Sequence, residues 1–204
     1  MTTTPETITF ETLPLVKGED ADLGFYDGFT WNNFGAISTR VLKGDADGFD
    51  AVAHGHVVAG DLKGKPASFS STTDFSLKSG YFAAGWDTGL HVQFTAYKDG
   101  VAVGEKTVIL NQTSELIKFN AKFDHIDTVS IRTWGGTQGT GNGSGKEFAV
   151  DNLKVVFDGA IPTSASAIHN HVNALAAAHE LGLHGFSTAS DLAIAHPLHD
   201  WIML

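Results

Sequence analysis

The residues with the clearest chemical potential are two acids, Glu11 and Asp151, each beside apolar, strand-like sequence. Asp151 interrupts the apolar alternation of the stretch 146–157 (KEFAVDNLKVVF), and Glu11 lies in the similar stretch 7–14 (TITFETLP). A carboxylate inside a buried strand needs a cation or a set of backbone donors as its partner, because burying a bare charge is costly. We therefore expect the first and last strands to lie side by side and to bring the two carboxylates together at a metal site.

Calcium is the cation that such a pair would bind, since it takes oxygen ligands from carboxylates and backbone carbonyls. The loop at 15–28 carries more acids, and Glu19, Asp20 and Asp22 are candidate additional ligands. The alternative is that Asp151 and its neighbour only exchange hydrogen bonds with the backbone at a bulge.

Further acidic and histidine-rich stretches have weaker signatures. Residues 45–50 (DADGFD) resemble part of an EF-hand loop, but position twelve of that loop is His56, which favours an acidic surface turn. His54 and His56 would share one face of a strand and could hold a transition metal, although no third ligand is visible and a solvent-facing pair is favoured.

In the tail, HNH at 169–171 and HELGLH at 179–184 lack the spacing of a zinc protease motif, so a solvated helix face is favoured there.

Five aromatic residues are candidates for stacking against a sugar, since their rings combine flat apolar area with polar edges. Trp86 and Trp134 are favoured because each lies beside glycine turns. The alternative for each ring is a place in the core, which a sandwich of this size also needs. The candidates are Tyr26, Trp31, Tyr81, Trp86 and Trp134.

The elements that must position these residues are short strands separated by turns, over residues 7–158. The clearest is a hairpin, with strands at 90–97 and 101–110 joined across Asp99-Gly100. Long helical periodicity is absent from this part of the sequence. The pattern predicts an all-β fold, a two-sheet antiparallel jelly-roll sandwich occupying residues 1–158.

The composition changes after Asp158. All 13 Lys and Arg residues precede this point, and six of the ten His residues follow it. Apolar residues spaced by three and four over 165–183 predict a helix, so we expect residues 159–204 to form a short α-helical, His-rich appendage.

Charge and composition exclude some classes of partner. The formal net charge of −10 argues against nucleic acid and against anionic membranes, and is compatible with divalent cations and neutral glycans. No Cys is present, so neither disulfides nor Cys chemistry contribute. No apolar run is long enough for a transmembrane segment, and residues 1–5 are too polar for an N-terminal signal peptide.

Five stretches of the domain carry a resemblance to a known group: ITFETLP at 8–14, YDGFTWNNF at 26–34, SGYFAAGW at 79–86, LHVQFTAYKDGVAV at 90–103 and FAVDNLKV at 148–155. With them the domain resembles the bacterial extracellular jelly-roll domains of PEP-CTERM exosortase substrates, a group similar in build to calcium-stabilised carbohydrate-binding modules. The likeness implies a structural calcium shared by Glu11 and Asp151. The Pro-Glu-Pro motif, membrane helix and basic tail of PEP-CTERM substrates are missing.

The tail resembles instead the uncleaved C-terminal signal of type I secretion substrates, which is poor in Lys and Arg and ends in apolar residues after an acid, here DWIML at 200–204. This likeness implies an ABC-type exporter as a partner and an extracellular location reached without an N-terminal signal peptide.

We expect a secreted, calcium-stabilised sandwich that binds a polysaccharide or another cell-surface component without catalysis. No Ser/His/Asp order or Cys nucleophile is visible, although a glycan-active enzyme stays open. Two further functions also stay open: a structural protein of a surface layer, biofilm matrix or adhesin, and a secreted haem or metal carrier that uses His residues.

Overall fold

The computed structural model describes residues 3–16, 20–39, 47–140 and 143–163. Within these ranges the chain is almost entirely antiparallel strand, with one short α-helix, α1 (Gly48–Val52), and a 3-10 turn at Ala121–Phe123. The strands are β1 (Thr4–Ile8), β2 (Asp20–Asp22), β3 (Phe25–Tyr26), β4 (Phe29–Asn32), β5 (Phe34–Ser38), β6 (Val57–Asp61), β7 (Ala67–Ala84), β8 (Asp87–Lys98), β9 (Val101–Leu110), β10 (Glu115–Lys118), β11 (Ile126–Gln138) and β12 (Phe148–Phe157).

The long strand β7 belongs to both layers of the sandwich. Its first residues, 67–70, pair with β11 on one side, and residues 68–70 pair with β4 on the other. Its later residues pair with β12 and β10. Sheet one therefore has the order β3-β4-β7-β11-β8-β9, and sheet two has the order β10-β7-β12-β6-β5-β2, with β1 also paired to β12. Most neighbours are not consecutive in sequence, as jelly-roll connections require.

The core between the sheets is built from the inward side chains of the alternating strands. Phenylalanine dominates it: the rings of Phe29 and Phe69 meet edge to face at 5.4 Å, and those of Phe29 and Phe75 at 4.8 Å. Such edge-to-face pairs stabilise a core beyond their buried area. Trp31 also lies here, and its indole N–H donates to the Tyr26 carbonyl at 3.0 Å, which satisfies the polar atom of a buried ring.

A second, smaller cluster lies on the outer side of sheet two. Helix α1 places Phe49 and Val52 against Val58, Ala83 and Ala149, which point outward from β6, β7 and β12. The helix begins at the capping residue Asp47, whose side chain accepts a hydrogen bond from the Asp50 amide at 2.8 Å.

Glycine permits this close approach of helix and sheet. A Cβ atom on Gly48 would lie 1.8 Å from the Ala84 carbonyl oxygen, and one on Gly85 would lie 2.5 Å from the Phe49 ring. Any larger residue at these two positions would prevent α1 from packing this close to sheet two.

The predicted all-β antiparallel sandwich is confirmed. The first and last strands do lie side by side, with Ile8 opposite Leu153. The predicted hairpin is present as β8 and β9, and its tip has positive φ at Asp99 (51°) and Gly100 (76°), as a type I′ turn requires. The predicted helical appendage at 159–204 lies beyond the described residues, except for 159–163.

One local prediction is wrong. His54 and His56 do not share a strand face, because α1 continues to Val52 and β6 begins only at Val57, which places both histidines in the connection between them. The capped start at Asp47 favours a helix ahead of this connection.

Candidate ligand-binding face

The outer side of sheet one presents three rows of aligned side chains on β11, β8 and β9. Alternate residues of each strand point outward, and the registers of the two strand pairs place those residues directly opposite one another. Neighbouring side chains on such rows lie within contact distance. We call these rows the open face: Trp134, His91 and Ile109 form the first row, Arg132, Gln93 and Thr107 the second, and Ser130, Thr95 and Glu105 the third.

The first row is a flat, largely apolar strip. The Trp134 indole stacks on the His91 imidazole, with ring centroids 5.3 Å apart and planes 17° from parallel. Trp134 is 37 % exposed and Ile109 is 55 % exposed, so a large apolar area meets solvent on both sides of His91. Gly135 follows Trp134 with φ of 71°, and a Cβ there would come within 3.0 Å of the His91 ring. Glycine at this position leaves room for the stacked pair.

The second and third rows carry a chain of polar contacts beside that strip. The Arg132 Nε–H donates to the Gln93 side-chain oxygen, and the Gln93 amide donates to Glu105. The Arg132 guanidinium carbon also lies 5.1 Å from the centroid of the Trp134 ring, a cation–π distance. This series of hydrogen bonds holds the Arg132 guanidinium beside the Trp134 indole. Hydrogen-bond donors and an aromatic surface therefore lie together on the open face.

The polar rows continue across sheet one. In the third row Ser68 of β7 lies opposite Ser130, and Asn32 of β4 lies opposite Ser68. Hydroxyl and amide groups thus extend the open face from β9 to β4. An arrangement of this kind can stack the apolar face of a ring and exchange several hydrogen bonds with its polar edge.

The other predicted ligand aromatics are packed elsewhere. Trp86 is half-buried against Phe49, with centroids 5.4 Å apart, and belongs to the cluster outside sheet two. Tyr81 lies under His54 at 4.2 Å on the same side of that sheet. The structure therefore does not bring these two rings to the open face.

Tyr26 is held at the edge of the main core. Its ring stacks on Phe10 at 5.7 Å, and its hydroxyl and that of Thr12 lie 2.7 Å apart within hydrogen-bonding distance. Burial, together with the charge of Asp27, raises the pKa of the Tyr26 phenol. Its neighbours give this ring a packing role.

The predicted pair of acids, Glu11 and Asp151, converges on one loop. One Glu11 oxygen accepts from the amides of His56 and Val57 at 2.7 and 2.8 Å. The Asp151 oxygens accept from the amides of His54 and Asn152 at 2.8 and 2.7 Å. Four backbone donors thus orient the two carboxylates.

The electrostatics of Asp151 follow from its surroundings. Burial raises its pKa, the amides of His54 and Asn152 lower it, and the negative charge of Glu11 raises it further. The His54 Nδ1 atom lies 2.9 Å from the Val52 carbonyl oxygen and 3.7 Å from an Asp151 carboxylate oxygen.

The structure does not bring the other predicted calcium ligands to this pair. Asp20 and Asp22 lie exposed on β2, with β5 and β6 between them and β12, a separation of about 14 Å at ordinary strand spacing. Glu19 lies outside the described residues. No group of three or more His, Asp and Glu side chains within the described ranges is arranged to hold a metal ion.

Sequence reasoning missed most of the open face. His91, Gln93 and Thr95 alternate with the buried residues of β8, and this alternation was the available signal. The partners on β11 and β9 could not be identified in the same way, because the register that aligns Arg132 with Gln93 is a property of the folded sheet.

Comparison with known proteins gives no family. A scan against protein families finds no match, and neither does a search of curated proteins. No helix within the described ranges is long and apolar enough to cross a membrane.

Solved structures give remote likenesses. A DUF4465 family protein from Bacteroides caccae ATCC 43185 is 15 % identical with a TM-score of 0.47, and the match covers 74 % of this chain and 98 % of that one. One from Bacteroides ovatus ATCC 8483 is 7 % identical with a TM-score of 0.49, covering 76 % and 99 %. A CBM4 structure is 14 % identical with a TM-score of 0.28, covering 76 % and 86 %. Likenesses this remote carry no argument about activity.

Proposed function

We propose that this protein is a glycan-binding module whose binding surface is the open face of sheet one. The observation that carries the proposal is the apolar strip of Trp134, His91 and Ile109, which lies beside the hydrogen-bonded chain from Arg132 to Glu105. A pyranose ring has one apolar face and a rim of hydroxyl groups, and the open face offers a partner for each.

The ligand is expected to be a neutral polysaccharide. The net charge of −10 disfavours polyanions over the surface as a whole. On the open face, Arg132 and Glu105 offset each other through Gln93, which leaves polar groups for hydroxyls and no excess charge. Glycoside hydrolysis usually uses two carboxylates flanking the bond, and Glu105 is the one carboxylate of the three rows, which supports binding without catalysis.

Retention of the full chain on a panel of immobilised neutral polysaccharides tests the proposal. One polysaccharide should retain the protein, and Trp134→Ala should abolish retention, because tryptophan anchors often account for about 2 kcal/mol or more of binding energy. Leu116→Ala is the matched control, since Leu116 is also exposed (46 %) but lies on β10 in sheet two. Equal loss in both variants would contradict the proposal.

We also propose, as the resemblance implies, that Glu11 and Asp151 bind a structural calcium. The convergence of the two carboxylates and their orientation by four amides support this. A native-state ligand must stabilise the fold, so EDTA should lower the melting temperature of the wild type by more than that of Asp151→Asn. A wild-type melting temperature that is insensitive to EDTA would contradict this site.

We propose that the chain is secreted by a type I exporter that reads its C-terminus. The absence of Lys and Arg after Asp158 and the closing sequence DWIML support this. Deletion of residues 190–204 should abolish export from a host that carries the exporter. Undiminished export of the truncated chain would refute it.

A further inference from the structure

A second pair of acids meets where β6 ends and β12 begins. Asp61 is the last residue of β6, and Glu147 directly precedes β12. The two strands pair with Gly60 opposite Ala149, which brings both acids to the same end of sheet two. One Asp61 oxygen accepts from the Phe148 amide at 2.6 Å, so the Asp61 side chain lies against the residue that follows Glu147.

Both side chains are buried with a polar atom unsatisfied. Asp61 is 4 % exposed and Glu147 is 6 % exposed. Within the described residues, Asp61 Oδ2 and Glu147 Oε2 have no hydrogen-bond partner. An unpaired buried oxygen carries the full cost of desolvation, so each of these two oxygens lacks a partner that it needs.

The backbone makes room for these oxygens. Gly145 has φ of 144°, and a Cβ atom there would lie 2.0 Å from Glu147 Oε2. At Gly136, on β11, a Cβ would lie 2.8 Å from an oxygen of Asp87, a third buried acid at the start of β8. Glycine at these two positions therefore lets the carboxylates of Glu147 and Asp87 lie directly against the backbone.

The electrostatic environment is acidic. Burial raises the pKa of Asp61 to about 8 despite the hydrogen bond from Phe148, and the charge of Glu147 contributes to the rise. Burial also raises the pKa of Glu147, with a contribution from the charge of Asp87. The charges that contribute to these two rises, those of Glu147 and Asp87, are both negative.

We propose that Asp61 and Glu147 bind a calcium ion at this end of sheet two, through the two oxygens that the protein leaves unpaired. The donors are carboxylate oxygens without His or Cys, which selects a hard cation. Since no three acidic or histidine side chains of the described chain are arranged around one point, backbone carbonyls and water complete the coordination. The site is separate from Glu11 and Asp151.

Calcium titration of the full chain by calorimetry tests the proposal. After EDTA treatment, the wild type should bind calcium, and Glu147→Gln should weaken binding at this site by at least about tenfold, because affinity follows the charge of the ligand set. Asp151→Asn is the matched control and should leave this site intact.

Two outcomes would overturn the proposal. One is a wild type that binds no calcium. The other is a Glu147→Gln variant that binds calcium as the wild type does. If that variant does not fold, the single-residue change Asp61→Asn serves instead, since its amide oxygen keeps the bond from Phe148 and its expected loss of calcium affinity is the same.

Discussion

The two sheets of the sandwich differ in what lies on their outer sides. Sheet two is covered by helix α1 and the connection at 53–56, and its outward residues form a second apolar cluster with Phe49 and Trp86. Sheet one has no such cover over β11, β8 and β9 within the described part of the chain, and Trp134 remains exposed there. The same residue type therefore has two roles: Trp86 stabilises the fold, and Trp134 is available to a ligand.

The two sheets also differ in where their carboxylates lie: that of the open face is exposed, and those of sheet two are buried. On the open face, Glu105 is bound by a neighbouring amide on the surface. In sheet two, the buried Asp151 accepts hydrogen bonds from two backbone amides. At the end of the same sheet, Asp61 retains an unpaired oxygen. Substitutions on sheet two are thus expected to change stability, and substitutions on the open face to change binding.

The largest expected effect of a substitution on stability comes from weakening the helical cover of sheet two. Phe49→Ala should lower the free energy of unfolding by about 3 kcal/mol, the usual cost of truncating a buried Phe. Urea denaturation measures it. Polysaccharide retention below the transition should persist, since the open face is unchanged. A loss of retention with unchanged stability would reverse the assignment of the two faces.

A second effect on stability is expected from pH. The pKa of Asp61 is about 8 in the folded protein, against an ordinary value of 3.8 that the unfolded chain restores. Between these values the native state holds a proton that the unfolded chain has lost, so stability falls as pH rises from about 4 to about 8 and then levels. Each unit of difference corresponds to about 1.4 kcal/mol, so the shift of about four units sets an upper limit of about 6 kcal/mol on this effect.

Urea denaturation in EDTA across this pH range measures the Asp61 effect. Asp61→Asn should remove that part of the pH dependence. Glu105→Gln is the control on the open face and should leave it unchanged. The prediction would be contradicted if stability rose steadily from pH 4 to 8, and by the same amount in the wild type and in Asp61→Asn. That result would show that Asp61 is ionised throughout this range.

Trp86→Ala is expected to have an intermediate effect, because the ring is half-buried against Phe49. The free energy of unfolding should fall by roughly 2 kcal/mol, less than for a fully buried ring. Affinity for the retained polysaccharide should stay within about twofold, as no open-face contact is lost. Loss of affinity in a stable Trp86→Ala variant would move the binding site to the covered side.

The smallest expected effect is on the polar chain of the open face. Gln93→Ala breaks the link from Arg132 to Glu105 and should reduce polysaccharide affinity about fivefold, the usual value of one hydrogen bond near 1 kcal/mol. Stability should change little at this exposed site. Calorimetric titration of the variant measures the loss, and unchanged affinity would restrict the ligand to the first row.

The sequence predicted the elements that local patterning specifies. Alternation identified β8, β9 and β12, and the Asp99-Gly100 turn identified the hairpin, because turn geometry and side-chain period are local properties. It also predicted that the first and last strands lie side by side. Backbone hydrogen bonds to Asp151 were foreseen as the alternative to a metal, and the two amides that donate to Glu11 were not foreseen.

Features that depend on register or on close packing could not be predicted. The rows of the open face exist because β11 aligns Trp134 with His91, and a shift of one residue would bury Trp134. The meeting of Asp61 and Glu147 depends on the pairing of β6 with β12, which are far apart in the chain. Helix α1 was hidden because its five residues are too few for a periodic pattern.

The most direct test of the glycan-binding face is chemical footprinting of the tryptophans. The full chain is oxidised with N-bromosuccinimide, with and without the polysaccharide that retains it, and each tryptophan is followed by peptide mass spectrometry. Bound polysaccharide should protect Trp134 and leave the slower oxidation of Trp86 unchanged. Protection of Trp86 with undiminished oxidation of Trp134 would contradict the assignment of the open face as the binding surface.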